Sequence, residues 1–164
     1  MKKVFTVFFI LIAVSLNAQQ GGIPPFMANP DLPAFYLLKP DNKTWITPAN
    51  LRPGVPVMMM LFSPECDHCQ QQTDQIVKNI KKFSGMDIVM TTYEPMPKID
   101  WFAKKYQLSK YPNIHIARDT KYTFVPFYRP TKAPFIAIYD KKRKIHKAYD
   151  GGAPVEKILG ELPR

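Results

Sequence analysis

The sequence predicts an α/β fold in which helices flank a central mixed β-sheet on both faces. Short apolar runs, typical of buried strands, alternate with stretches whose apolar residues recur every three or four positions, as in amphipathic helices. Residues 55–62, 66–83 and 86–92 have the order strand, helix, strand. A right-handed crossover of this kind makes its two strands parallel. The chain of 164 residues suits one domain with a single hydrophobic core.

Local composition predicts the remaining elements. Residues 34–38 and 44–46 are expected to pair as a hairpin around a turn at residues 40–43. A helical turn is expected at residues 48–51. After the crossover, the predicted elements are a helix at 97–106, a strand at 114–117, a helical turn at 124–128, strands at 135–139 and 144–149, and a terminal helix at 154–162.

The first 18 residues have the three parts of a secretory signal peptide. Lys2 and Lys3 supply a charged start, residues 4–16 are almost wholly apolar, and small Ala18 provides a cleavage site. The apolar run is shorter than the roughly 20 residues of a membrane-spanning helix, and an uncleaved anchor is the alternative. We therefore expect an exported, periplasmic or otherwise extracytoplasmic protein. Residues 19–31 are expected to form a leader, and residues 32–164 the domain.

The charge balance bears on partners. The formal charge of +10 falls to +8 when Lys2 and Lys3 leave with the signal (10 − 2). Such a balance favours acidic partners or anionic surfaces by long-range attraction. No nucleic-acid motif accompanies it, so we expect no nucleic-acid partner. Membrane contact is expected only through an uncleaved N-terminal segment.

The cysteine pair carries the chemistry. Cys66 and Cys69 are the only cysteines, and a bridge between them closes almost no loop, so it would add little stability. A helix is predicted to begin at this C-x-x-C sequence, where free backbone N–H groups and the helix dipole stabilise a thiolate at Cys66. Cys69, one turn further and partly covered, would resolve a mixed disulfide. The pair therefore predicts a dithiol–disulfide oxidoreductase.

Cysteines at this spacing also serve covalent haem attachment, zinc binding and copper binding. Covalent haem attachment needs a histidine directly after Cys69, and Gln70 stands there. A zinc site needs two further ligands, and the sequence has no second C-x-x-C. A copper-binding chaperone using Cys66, Cys69 and either His115 or His146 is the alternative function, because thiolates favour Cu(I). A redox-inert adaptor that keeps the fold and the cysteines is a third functional hypothesis, after the oxidoreductase and the copper-binding chaperone. The main hypothesis involves no metal and no bound cofactor.

Several segments together resemble a known family. They are residues 32–35, the turn at 40–43, the strand at 57–62, the cysteine motif, and Ala133-Pro134 before residues 135–140. In this order they resemble the TlpA/ResA-like branch of the thioredoxin-like superfamily, close to the alkyl hydroperoxide reductase and thiol-specific antioxidant group. The resemblance covers roughly residues 32–162.

The resemblance implies a thioredoxin-like fold with an N-terminal hairpin. It also implies a strand and helix, absent from thioredoxin, inserted between the C-x-x-C helix and a cis-proline. The implied activity is extracytoplasmic disulfide exchange with partner proteins, served by a redox partner protein. Cys66 matches the attacking cysteine and Cys69 the resolving one. Pro134 matches the cis-proline that shapes the substrate groove, with Ala133 before it.

The chain also departs from the family pattern. Met60 stands where thioredoxin has a buried acid, and Glu65 replaces the tryptophan that often precedes the first cysteine. Glu65 is interpreted either as a proton acceptor near Cys69 or as a solvated loop carboxylate. His68 is expected either to tune the redox potential through the Cys66 thiolate or to lie exposed. Residues 63–66 lack the peroxiredoxin signature, so peroxidase activity is not expected.

Overall fold

A computed structural model describes residues 22–161 of the chain. The predicted signal peptide lies outside these residues, as do the first three residues of the predicted leader. Within the described range, every helix is too short or too polar to cross a membrane.

One mixed sheet organises the domain. Its strands are β1 (Leu37–Leu38), β2 (Trp45–Ile46), β3 (Val57–Leu61), β4 (Asp87–Thr92), β5 (Ile114–Arg118), β6 (Phe135–Tyr139) and β7 (Ile145–Asp150), in the spatial order β2-β1-β5-β4-β3-β6-β7. Strands β3, β4 and β5 are parallel, whereas the other pairings are antiparallel. The parallel centre confirms the predicted crossover, and the first two strands confirm the predicted hairpin.

Within residues 22–161, four of the five helices lie where the sequence predicts a helix or a helical turn, and the first lies in the predicted leader, where no helix is expected. The helices are α1 (Pro25–Ala28), α2 (Asp67–Lys78), α3 (Met96–Lys105), α4 (Phe124–Tyr128) and α5 (Val155–Gly160), with 3₁₀ turns at Pro48–Asn50, Ile80–Phe83 and Leu108–Lys110. Between α2 and β6 the chain makes two strand–helix units, β4 with α3 and β5 with α4. This arrangement confirms an α/β fold of the thioredoxin-like class.

Side chains of the central strand divide between two cores. All five residues of β3 are buried, because helices cover both sides of the sheet. Because side chains alternate along a strand, Met58 and Met60 point into a first core, which is formed with α2, α3 and α5. The other side chains of β3 point into a second core on the opposite face of the sheet, which is formed with the hairpin and α4; they are Val57, Met59 and Leu61. The continuous apolar run in the sequence is thus the signature of a strand covered twice.

Part of the predicted leader packs on the domain. The ring of Phe26 in α1 lies 5.6 Å from that of Tyr128 and 5.8 Å from that of Phe135, measured between centroids. Further along, Asp31 pairs with Lys144 through the backbone and through an ion pair of 2.6 Å. Residues 22–31 therefore contribute to the second core, which the Gly- and Pro-rich sequence did not indicate.

We expect Phe26→Ala to lower the free energy of unfolding by about 1–2 kcal/mol, since a half-buried ring contributes less than the roughly 3–5 kcal/mol of a fully buried one. Urea unfolding of the mature protein measures it. Met27→Ala is the matched control, because Met27 lies in the same helix but is 62% exposed, and this change should cost little. Equal effects of the two substitutions would contradict packing of α1 on the domain.

Candidate active site

The turn between β3 and α2 places Cys66 at the start of a helix. The backbone N–H of Cys66 donates to the carbonyl of Ser63 at 3.1 Å, which closes the turn. Cys66 then caps α2, and its sulfur accepts a hydrogen bond of 3.3 Å from the backbone N–H of Cys69. Sulfur here takes the place of the oxygen that usually caps a helix. A thiolate at Cys66 would receive this N–H and the favourable end of the helix dipole.

Cys69 has the opposite environment. Its side chain is fully buried against the first core, whereas that of Cys66 is partly exposed. Burial raises the pKa of Cys69 to about 12, and the hydrogen bond and negative charge of Cys66 act in the same direction. The two thiols thus differ in accessibility, and the raised pKa of Cys69 disfavours its thiolate, as expected for a resolving cysteine.

Pro134 lies beside the cysteine pair. The Ala133–Pro134 peptide bond is cis, as the family resemblance implied. The sulfur of Cys66 lies 3.8 Å from the carbonyl oxygen of Ala133. The fold therefore brings the predicted groove segment to Cys66, the predicted attacking thiol, from 67 positions further along the chain.

Asp150 holds the segment that precedes Ala133. Its carboxylate accepts hydrogen bonds from the backbone N–H groups of Thr131 and Lys132 and from the Thr131 hydroxyl, at 2.5–3.1 Å. Burial would raise the pKa of Asp150, but these hydrogen bonds outweigh it and lower that pKa. Sequence analysis missed this residue, because a single aspartate at a strand end carries no local sign of a partner 19 positions away.

Gly152 joins three parts of the site. Its φ of +79° lies in the left-handed region that favours glycine. A Cβ atom there would lie 2.7 Å from Oε1 of Gln72 in α2 and 3.1 Å from Cγ of Pro134. The same Gln72 oxygen accepts a hydrogen bond of 3.0 Å from the backbone N–H of Ala153. Helix α2, the proline and the segment after β7 therefore meet at close quarters.

The two predicted tuning residues are exposed. Glu65 forms an ion pair of 2.7 Å with Lys98 of α3, which also approaches Glu94 at 3.4 Å. The hydrogen bond that Lys98 donates to the Glu65 carboxylate raises the pKa of Lys98. Glu65 thus has the surroundings of a loop carboxylate and ties the active-site turn to α3. His68 lies exposed in the first turn of α2, and its effect on the redox potential stays a prediction.

The histidines of the copper hypothesis have other neighbours. His115 on β5 lies 3.8 Å from the buried carboxylate of Asp87. Burial of the imidazole lowers the pKa of His115. His146 on β7 lies 3.4 Å from Glu161. Across residues 22–161, no three His, Cys, Asp or Glu side chains gather in a group that could hold a metal ion.

Solved structures share this fold. A protein of Neisseria meningitidis described as a thioredoxin is 22% identical, with a TM-score of 0.63 over 79% of this chain and 85% of that one. A secreted disulfide oxidoreductase of Mycobacterium tuberculosis, homologous to E. coli DsbE, is 14% identical, with a TM-score of 0.63 over 77% and 92%. The peroxidoxin BcpB of the same organism is 16% identical, with a TM-score of 0.66 over 80% and 93%.

No protein-family model and no curated protein matches the chain. At such identities the similar structures show a thioredoxin-like fold. They include both disulfide oxidoreductases and peroxiredoxin-type proteins, so the choice between these activities depends on the cysteine site itself.

In the reduced protein we expect iodoacetamide at pH 7 to label Cys66 well before Cys69. A pKa of about 12 leaves a thiolate fraction at Cys69 on the order of 10⁻⁵ at this pH. Because that pKa is raised, labelling of Cys69 should stay slow until the pH approaches it. Mass spectrometry of peptides measures both rates.

The control for this labelling is the Cys66→Ser protein unfolded in urea, in which Cys69 should react quickly because burial is lost. Comparable labelling of both cysteines in the folded protein at pH 7 would contradict the assigned roles.

Proposed function

We propose that this protein is an extracytoplasmic thiol–disulfide oxidoreductase of the TlpA/ResA-like type, which exchanges its Cys66–Cys69 pair with disulfides of partner proteins. One observation carries the proposal. The partly exposed sulfur of Cys66 caps a helix and accepts a hydrogen bond from the backbone N–H of Cys69, whose own thiol is buried, while a cis-proline segment faces the Cys66 sulfur. This arrangement supplies an attacking sulfur, a resolving sulfur and a wall for the substrate chain.

The exchange takes two steps. The Cys66 thiolate attacks one sulfur of a partner's disulfide, so that the partner's S–S bond breaks, a mixed disulfide forms, and the second partner sulfur leaves and takes up a proton. Cys69 then loses its proton and attacks the sulfur of Cys66. This step forms the Cys66–Cys69 disulfide and releases the other partner sulfur as a thiol. Two electrons and two protons pass to the substrate protein. A dithiol redox partner protein then reduces the Cys66–Cys69 disulfide and is itself oxidised to a disulfide. The reverse sequence oxidises a partner dithiol.

Formation of the mixed disulfide prepares the second step. Charge on the Cys66 sulfur and its hydrogen bond are among the causes that raise the pKa of Cys69. Both disappear once that sulfur is bonded to the partner. Burial, the largest cause, persists in the mixed disulfide, so Cys69 remains a thiol and gives up its proton as it attacks. The order of the two steps thus follows from the environment of the second cysteine.

Ala133 and Pro134 fit the wall of a substrate groove. The Ala133 carbonyl lies beside the Cys66 sulfur and would supply a hydrogen-bond acceptor to a substrate chain bound there. An extended substrate segment can pair with such a backbone edge as an added strand. Asp150, which holds Thr131 and Lys132, fixes the position of this edge.

His68 is proposed to tune the direction of exchange. It stands in the first turn of α2, between the two cysteines. A protonated imidazole near Cys66 would favour the thiolate and hence the reduced form. In this two-electron couple about 30 mV corresponds to about 1.4 kcal/mol, so one hydrogen bond is enough to change which partner is reduced.

The Cys69→Ser protein should accumulate as a mixed disulfide with its partners, because the first step proceeds and the resolving thiol is absent. Non-reducing electrophoresis of cells expressing it should show adducts that reductant dissolves. Cys66→Ser is the matched control and should form at least tenfold fewer adducts, since Cys69 is buried.

Purified wild-type protein supplies the second readout, as equilibration with glutathione should interconvert dithiol and disulfide in a two-electron transition. The proposed function would be overturned if adducts formed through Cys69 alone. It would also be overturned if no dithiol–disulfide transition occurred at the reduction potentials of known oxidoreductases.

The proposed location depends on residues 1–18. Expression of the full sequence in a Gram-negative host should yield a periplasmic protein whose intact mass lacks these residues, because the charged start, apolar run and Ala18 fit signal cleavage. Replacing two apolar residues of the run by arginine is the control and should retain the protein inside. An uncleaved cytoplasmic product from the unaltered sequence would contradict export.

A further inference from the structure

A cleft opens next to the active site, at the carboxyl ends of the three parallel strands. Its volume is about 290 Å³. Residues 61–63 after β3, 91–94 at the end of β4, Asp119 after β5, and the segment 130–133 line it. Ala133 belongs both to this lining and to the contact with the Cys66 sulfur. A substrate chain bound at Cys66 would therefore pass the mouth of the cleft.

The cleft combines apolar walls with two polar groups that have no hydrogen-bond partner among residues 22–161. Leu61, Phe124 and Phe135 supply apolar surface. Asp119 is 5% exposed; its Oδ2 accepts the Phe124 N–H at 2.9 Å, but its Oδ1 has no partner among the described residues. Thr91 is 1% exposed, and its hydroxyl also has no hydrogen-bond partner among the described residues. Buried polar atoms are normally paired, and a buried carboxylate oxygen most of all.

The rim adds acidic and aromatic groups. Glu94 lines the cleft and shares Lys98 with Glu65. Tyr93, which also lines it, makes an edge-to-face pair with Tyr122 at 5.2 Å between centroids, and both rings are about half exposed (52% and 50%). Among the described residues, Lys132 is the one cation of the lining, and its Cδ atom lies 3.4 Å from where a Cβ atom of Gly151 would stand.

We propose that this cleft is a specificity subsite for an arginine side chain of the substrate polypeptide, next to the cysteine that Cys66 attacks. The proposal rests on the proposed function. Arginine has an apolar stem for the walls and five N–H donors, which can serve both Asp119 Oδ1 and Thr91 Oγ1. A charge-assisted hydrogen bond to a carboxylate is about twice as strong as a neutral one. Exposed tyrosines offer faces on which a guanidinium stacks.

The test compares pairs of disulfide-linked peptides that differ only in arginine or citrulline. Citrulline keeps the length and shape of arginine but is neutral. The residue is placed one or two positions from the cysteine, on either side, because successive residues of an extended chain are about 3.3 Å apart. Rates of reduction by the reduced mature protein are measured. At one position we expect arginine to be preferred by about tenfold, or about 1.4 kcal/mol.

Asp119→Asn should bring that preference to within about twofold, because the amide oxygen still accepts the Phe124 N–H while the charge is lost. Asp100→Asn is the matched control: this carboxylate lies on α3, paired with Lys104, and its loss should leave the preference intact. Thr91→Val, close in shape, should lower the preference in part, and circular dichroism checks the fold of each variant.

Each outcome decides the proposal. Equal rates for arginine and citrulline at every position would overturn the subsite but not the oxidoreductase function. A preference that persists in folded Asp119→Asn protein would also overturn it. If Asp119→Asn fails to fold, Thr91→Val together with NMR titration of the wild-type protein by Nα-acetylarginine amide, against its citrulline analogue, decides. Failure to reduce any peptide, and also hydroxyethyl disulfide, would instead overturn the proposed function.

Discussion

The hydrogen bond from the backbone N–H of Cys69 to the sulfur of Cys66 is the contact on which the site depends. It exists because β3 ends just before α2 begins, so that the first cysteine occupies the capping position and the second lies one turn inside. That single turn of helix separates the two thiols in environment: one faces the groove, and the other faces the core of Met60 and Phe62. A shift of the helix start by one residue would remove both properties.

The strands and helices could be predicted from sequence because their signals are local. The run at β3 is apolar at every position, and Ile76 and Phe83 fall on one face after the cysteines, so type and order were evident. The cysteine pair was also evident. Pro134 was identified only through the family resemblance, since an alanine–proline pair before a strand is ordinary on its own.

Other features of the site depend on contacts between distant segments, and no local pattern encodes them. Asp150 meets Thr131 across a hairpin edge, and Asp119 reaches the cleft only because β5 and β4 end side by side. Phe26 appeared to belong to a leader because its neighbours are glycine and proline, yet an aromatic ring packs wherever a matching surface is offered, here by Tyr128 and Phe135. For Glu65, sequence allowed two roles, and the distance to Lys98 shows which contact it makes.

Gly152 limits whether the cysteine pair can be transferred to another protein together with its surroundings. A grafted segment of residues 63–78, the turn and helix α2, would bring the cysteines into another protein. It would not bring the surface against which they pack. That surface comes from Pro134 and from the backbone after β7, and Ala153 meets Gln72 across 81 positions of chain. The fit at Gly152 leaves no space for even a methyl group between them. The environment of the cysteine pair is therefore a property of the assembled fold, and only a transfer of the whole domain would carry it to another protein.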